Sequence, residues 1–132
     1  MADSFAFELV SPDRLEKTGS ATEIVVPGMD GDFGVLADHA PLMSTLRPGV
    51  LTVLEEDGSE GTLFVKGGLA QVTPEGLTIL AESIIDPASV DSADLDKQIS
   101  NTREDIADAR DVVEADRLTK DLTWMEALRE VV

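Results

Sequence analysis

Between Val26 and Gly49 the chain reads VPGMDGDFGVLADHAPLMSTLRPG, a spelling that leaves no room for a helix. Pro27, Gly28, Gly31, Gly34 and Pro41 interrupt it too often. The apolar pieces between them are Phe33, Val35 and Leu36, then Leu42 and Met43, then Leu46. Pieces that short fit strands joined by tight turns. Gly28, Gly31 and Gly34 recur every third residue, the spacing of a folded-back loop where the backbone takes positive φ or approaches another segment closely. His39, the only histidine, stands directly before Ala40-Pro41-Leu42.

The same punctuation continues on both sides. All ten glycines and five of the six prolines lie before residue 87. Strand-like runs appear at Phe5–Val10, Ile24–Val26, Gly49–Leu54, Thr62–Val65, Leu69–Val72 and Leu77–Leu80. Turn signals separate them at Glu56-Asp57-Gly58-Ser59 and Thr73-Pro74-Glu75-Gly76. Short strands at this spacing predict an antiparallel β-sandwich or flattened barrel over residues 1–86.

From Asp91 to Val132 there is neither glycine nor proline. Asp91 or Ser92 can cap a helix, and Asp94 and Asp96 suit its positive end. Leu95, Ile99, Thr102, Ile106 and Ala109 then form one apolar stripe at steps of four and three. Continued past Val113, that stripe turns polar at Asp116 and Lys120. A second stripe in a shifted phase runs through Ala115, Leu118, Leu122, Met125, Leu128 and Val132. The slip falls near Arg110–Val113, where Asp111 can start a new helix. Residues 87–132 are therefore predicted to form a two-helix antiparallel hairpin, with a single helix of about 60 Å as the alternative. Asp116–Lys120 and Glu126–Arg129 are expected as ordinary pairs along the second helix. Trp124 lies one position off the second stripe, either flanking the hairpin seam, packing on the sandwich or serving as a contact for a partner subunit.

A formal net charge of −17 disfavours direct binding to nucleic acid or to anionic lipid heads, and leaves basic proteins as plausible partners. With no cysteine there is no disulfide, thiolate metal site or cysteine nucleophile. No apolar run approaches the length of a bilayer span, and the first ten residues lack a basic n-region, so the protein is expected to meet a membrane only through other proteins. No phosphate-binding G-x-x-x-x-G-K-[ST] loop and no H-E-x-x-H zinc motif occurs. His39 has no second histidine or cysteine to share a metal, and the carboxylates read as a solvated acidic surface. The residues thus predict no catalytic set, no cofactor site and no metal site.

VPGMDGDFGVLADHAPLMSTLRPG, followed by FVKGGLAQVTPEGLTILAE, closely resembles the epsilon subunit family of F-type ATP synthases, whose mitochondrial counterpart is called delta. G-x-x-G-x-x-G-V, H-A-P-L, R-P-G and K-G-G at these separations carry the resemblance, which covers almost the whole sequence. It implies a sandwich of about ten strands followed by a helix pair. It also implies a non-catalytic place in the central stalk of a proton-translocating synthase, at the cytoplasmic face of a bacterial inner membrane. The implied partners are the gamma subunit and the c-ring, with the catalytic alpha/beta head as a further one. By likeness, Gly31, Asp32, Phe33 and Gly34 would face the c-ring, with Asp32 at the family's acidic position. His39, with Pro41 and Leu42 of H-A-P-L, would lie near gamma, and Trp124 is a candidate contact of the tail.

Some members of the family bind ATP through [IL]-D-x-x-R-A at the start of the first helix. Here Leu95 and Asp96 match, but Ile99 and Ser100 replace the arginine and alanine. The expected consequence is weak or absent ATP binding, which calorimetry would read. From Asp111 onward six acids face three bases. Inhibitory members tend to present a basic second helix to the head, so little inhibition of hydrolysis is expected from this tail.

Two other readings compete with the rotor subunit. One is an acidic regulatory or adaptor module that binds a basic protein. The other is a small jelly-roll enzyme or sugar binder built around His39, which would need a concave site with convergent polar groups.

Overall fold

Alternation of buried and exposed residues sets the first strand, β1 (Phe5–Val10), where Phe7 and Leu9 are buried between exposed Ala6 and Glu8. The computed structural model describes residues 3–132. Among them eight further strands follow: β2 (Leu15–Gly28), β3 (Gly31–Val35), β4 (Leu42–Leu46), β5 (Gly49–Glu55), β6 (Glu60–Val65), β7 (Gly68–Thr73), β8 (Gly76–Ala81) and the short β9 (Ile84–Ile85). A single 3-10 turn at Pro87–Ser89 precedes the helices α1 (Ser92–Ala107) and α2 (Val112–Arg129). The polypeptide divides into two compact units at Ile85/Asp86.

The strands follow the order β1-β8-β7-β4-β2-β5-β6-β9, with β3 attached to β2 and β1 also paired to β2. The nine strands among the described residues agree with the expected sandwich of about ten. The long β2 serves several neighbours in turn. Its first half pairs with β1, its middle with β5, and its end with β3 and, through Gly28↔Leu46, with β4. Pairing is antiparallel throughout except between β1 and β8, which run parallel. Nothing local joins those two strands, so no hairpin dictates their direction.

Alternation along the strands fills the interior. Leu77, Ile79 and Ala81 of β8, Ala70 and Val72 of β7, and Leu51 and Val53 of β5 all point inward. Ile24 and Val26 in the second half of β2 are fully enclosed, and burial of side chains of this size contributes about 1.5–3 kcal/mol each. Residues 15–23, polar and interrupted by Gly19 and Ser20, carry little strand signal of their own. They become strand because β1 supplies a partner as far as Ala21 and β5 takes over at Ala21 and Glu23.

In the second unit Asp91 caps α1, accepting from the amides of Ala93 and Asp94. Asp111 caps α2, accepting from the Glu114 amide at 2.8 Å. Both caps are those the sequence suggests, and the phase slip is a true break between helices. Leu95, Ile99 and Thr102 of the first stripe are buried, as are Leu118, Met125 and Leu128 of the second. The Thr102 hydroxyl lies 3.8 Å from the Met125 sulfur.

The expected surface pairs are not formed. Glu126 meets Arg103 at 3.5 Å and Arg129 meets Asp96 at 2.7 Å, both across the hairpin, while no ion pair joins Asp116 to Lys120. An antiparallel neighbour offers each charge a partner that the single-helix picture lacks. The Asp96 carboxylate, as hydrogen-bond acceptor and opposite charge, raises the Arg129 guanidinium further above its ordinary range.

Candidate partner-binding surface

The glycine-rich run folds into the β2–β3 hairpin. Gly28 pairs with Gly31 across a two-residue turn, Met29-Asp30. Gly31 has φ +132°, a conformation costly for any residue with a Cβ. Gly28 is needed for a different reason: a Cβ there would lie 2.8 Å from the Gly31 carbonyl oxygen and 2.9 Å from the Phe33 ring. Of the three glycines, Gly31 takes the predicted positive φ and Gly28 makes the predicted close approach. Gly34 simply continues β3.

Arg47, just past the end of β4, ties this hairpin down. Its amide donates to the Pro27 carbonyl at 3.0 Å, and the Met29 amide donates to the Thr45 carbonyl at 2.9 Å. Its guanidinium donates through Nη1 to the Gly28 carbonyl at 2.6 Å and through Nη2 to Asp32 Oδ1 at 2.5 Å. The next residues of R-P-G also belong to the joint. A Cβ at Gly49 would sit 2.9 Å from the Pro27 Cβ, so the backbone passes there only because the side chain is missing.

The sequence-selected residues divide into three groups. Gly31, Asp32 and Gly34 are exposed on β3, with Asp32 engaged by Arg47. Phe33 is half-buried and packs against the sandwich core. His39 is half-buried in the segment between β3 and β4, where its amide donates to the Leu36 carbonyl and its Nδ1 lies 2.7 Å from the Ala40 carbonyl oxygen. Pro41 is exposed beside it. The pairings place Leu42 in the inward row of Phe7, Leu77 and Val72, at its rim, where it stays 39% exposed. Strand pairing and the bonds of Arg47 hold the β2–β3 turn in place, whereas His39 is held by its own loop.

Sequence reasoning passed over a feature of the outer face. Direct register puts Val10, Leu80, Leu69 and Thr45 in one row across β1, β8, β7 and β4. Glu8, Thr78, Gln71 and Met43 form the row beside it, and the Thr78 hydroxyl donates to Glu8 at 3.2 Å. Leu80 is 46% exposed and Met43 is 58% exposed, and Met29 at the turn is as open as Met43. The signal was present in Leu69 and Leu80, which are apolar at positions where outward alternation calls for polar residues.

In the helical unit, Asp96, Ile99, Arg103, Glu126, Arg129 and Glu130 line a shallow cleft of about 480 Å³. Its two arginines are already engaged by carboxylates of the same hairpin. Trp124 is half-buried, and its indole N–H donates to Asp121 at 3.3 Å, one turn back on the same helix. Among the described residues no group of three histidine or carboxylate side chains could hold a metal ion.

Two family models account for nearly the whole sequence. One, described as "ATP synthase, Delta/Epsilon chain, beta-sandwich domain", matches residues 4–87. The other, which describes the C-terminal domain of the ATP synthase epsilon chain, matches residues 91–132. The ATP synthase epsilon chain of Maricaulis maris is 47% identical over 131 residues, covering 99% of this chain and 98% of that protein. That of Parvibaculum lavamentivorans is 42% identical over the full length of both. A chain of the Euglena gracilis mitochondrial ATP synthase OSCP/F1/c-ring assembly superposes with a TM-score of 0.84 at 24% identity, over 96% of this chain and 80% of that one. At that identity the likeness speaks to the fold alone.

Proposed function

Since the chain belongs to the epsilon-chain family of F-type ATP synthase, a non-catalytic subunit of that complex, we propose that its sandwich joins the gamma subunit to the c-ring within the rotor. The observation that carries this reading is the outer apolar row of Val10, Leu69 and Leu80 with Met43 beside it. A solvent-facing sheet that presents such a row is suited to being covered by another protein. The gamma subunit is the proposed cover, with His39, Pro41 and Leu42 near its margin.

Gly31, Asp32, Phe33 and Gly34 of the β2–β3 hairpin would face the c-ring. A turn held by three strands can carry load without local melting, which supports this placement. Residues 1–86 would thus be the rotor-binding part and residues 87–132 the regulatory part, with Trp124 as its contact. No described helix is long and apolar enough to cross a membrane. The proposed place is peripheral, at the cytoplasmic face of a bacterial inner membrane.

Weak regulation by the tail fits the cleft, where Asp96 is occupied by Arg129 and Ile99 offers no charge to a phosphate. Removal of everything after Pro87 is expected to leave hydrolysis by the purified complex almost unchanged.

Co-purification from the native complex tests the main reading. The wild-type protein should travel with gamma and the c-ring. Leu80→Glu, which places a charge in the outer row without touching the core, should release it at least tenfold more readily. A variant retained as firmly as wild type would remove the outer row from the interface.

A further inference from the structure

Two acidic residues lie at the tip of the β2–β3 hairpin, Asp30 in the turn and Asp32 on β3, and they differ in what engages them. Asp32 is joined to Arg47. Asp30, at the turn itself, is exposed, and no hydrogen bond or ion pair engages its carboxylate among the described residues. Met29 beside it is 58% exposed.

Arg47 sits where three strands meet. Its amide holds Pro27 of β2, one guanidinium nitrogen holds the Gly28 carbonyl, and the other holds Asp32 of β3, while its own position is fixed by the end of β4. An exposed ion pair by itself contributes little, because two long side chains must be ordered to make it. Here the arginine stem starts from a backbone already fixed by its own amide bond. Its planar fork presents two separate nitrogens to two acceptors, whereas a lysine offers one nitrogen on a flexible stem.

We propose that Arg47 is the positioning residue of the turn, and that by taking up the charge of Asp32 it leaves Met29 and the Asp30 carboxylate as the groups offered to the partner. This rests on the reading of the turn as a partner-facing element. The partner chemistry it fits is a loop that brings a cation next to a small apolar surface. Asp32 then serves the geometry of the turn, and Asp30 supplies its charge.

Two measurements on the full-length protein test this. The first is amide hydrogen exchange in the isolated protein, which needs no partner. Arg47→Met should speed exchange at Met29 and Gly31 about tenfold or more. Asp32→Asn should do so to a smaller extent, and the double variant should add little to Arg47→Met, because the two residues act as one unit. Arg47→Lys should restore only part of the protection. If Arg47→Met does not fold, Asp32→Asn reads the same pair with the arginine in place.

The second measurement is the salt dependence of binding to the gamma–c-ring subcomplex. Asp30→Asn should flatten it while leaving the exchange of the turn unchanged. The Asp32→Asn/Arg47→Met double variant keeps the net charge, so it should lower affinity yet keep the salt slope. Unchanged exchange in Arg47→Met, or a salt slope that follows Asp32 and ignores Asp30, would overturn the proposal. A protein with the expected exchange pattern that binds neither gamma nor c-ring would count against the rotor reading and for the role of Arg47.

Discussion

The sandwich and the helical hairpin solve the problem of holding together in opposite ways. The sandwich buries inward-facing side chains from strands far apart in sequence, and its glycines let backbones pass closer than a Cβ would permit. The hairpin buries two thin stripes, keeps most of its surface charged, and closes with ion pairs that water reaches. The first arrangement is intolerant of small changes in shape and insensitive to salt. The second tolerates surface substitution and responds to ionic strength. The proposed rotor-binding and regulatory roles would place different demands on a polypeptide, and the two units differ along that line.

The largest expected effect is Gly68→Ala. Gly68 has φ +141°, and a Cβ there would lie 2.1 Å from the Leu80 carbonyl oxygen, inside the β7–β8 pairing itself. Strain and lost pairing together should cost more than about 4 kcal/mol, with loss of the cooperative unfolding transition in urea. A stable Gly68→Ala protein would break the contrast, since it would show the sheet to be as forgiving as the helices.

Next comes Leu128→Ala. Leu128 is 2% exposed, and its truncation should cost about 2–4 kcal/mol. The readout is selective loss of helical circular dichroism while slowly exchanging strand amides persist. Loss of both signals together would show that the two units unfold as one.

The smallest effects sharpen the comparison by their conditions. Raising salt from about 0.05 M to about 1 M should weaken Asp96–Arg129 and Arg103–Glu126, and so speed exchange of α2 amides a few-fold without touching the strands. Acid should act on the sandwich as well, where salt does not. A hydrogen bond from Arg14, with a second from Ser11, holds Glu16 below the ordinary glutamate range, and the Ser59 hydroxyl does the same for Asp57. A carboxylate with a depressed folded pKa adds stability above its unfolded pKa and loses it as pH falls through the folded one. The turns near Glu16 and Asp57 should therefore loosen only below about pH 4. The raised Arg129 has the opposite sign: its contribution is lost as pH rises, and only far above any working pH. Exchange mapped against pH and against salt would separate the two.

Legibility in the sequence followed the same division. β1 is read to the residue because Phe7 and Leu9 alternate with Ala6 and Glu8, and both helix caps are read because Asp91 and Asp111 stand where an apolar stripe begins or changes phase. Residues 15–23 escaped because their strand character is supplied by β1 and β5. The same holds for charges. Glu126 and Arg129 look like neighbours on one helix, and each finds its partner on the other. At the candidate surface, Asp32 stands out as an acidic residue among glycines, but its engagement by Arg47 fifteen residues on depends on how β4 meets β2. Leu80 and Leu69 join in one row only once the register is known.

The parallel contact of β1 with β8 has a consequence for synthesis. β1 leaves the ribosome some seventy residues before β8, which it borders, as the Thr78–Glu8 bond records. Until then one edge of β1 stays open, and the loop that must close is nearly the length of the whole unit. The helices face no such wait, for every bond between them spans a few dozen residues at most. The unit held by the longest-range pairing is thus the unit whose completion is most delayed. A nascent protein arrested before Leu80 would expose an unpaired strand edge to every other copy in the making.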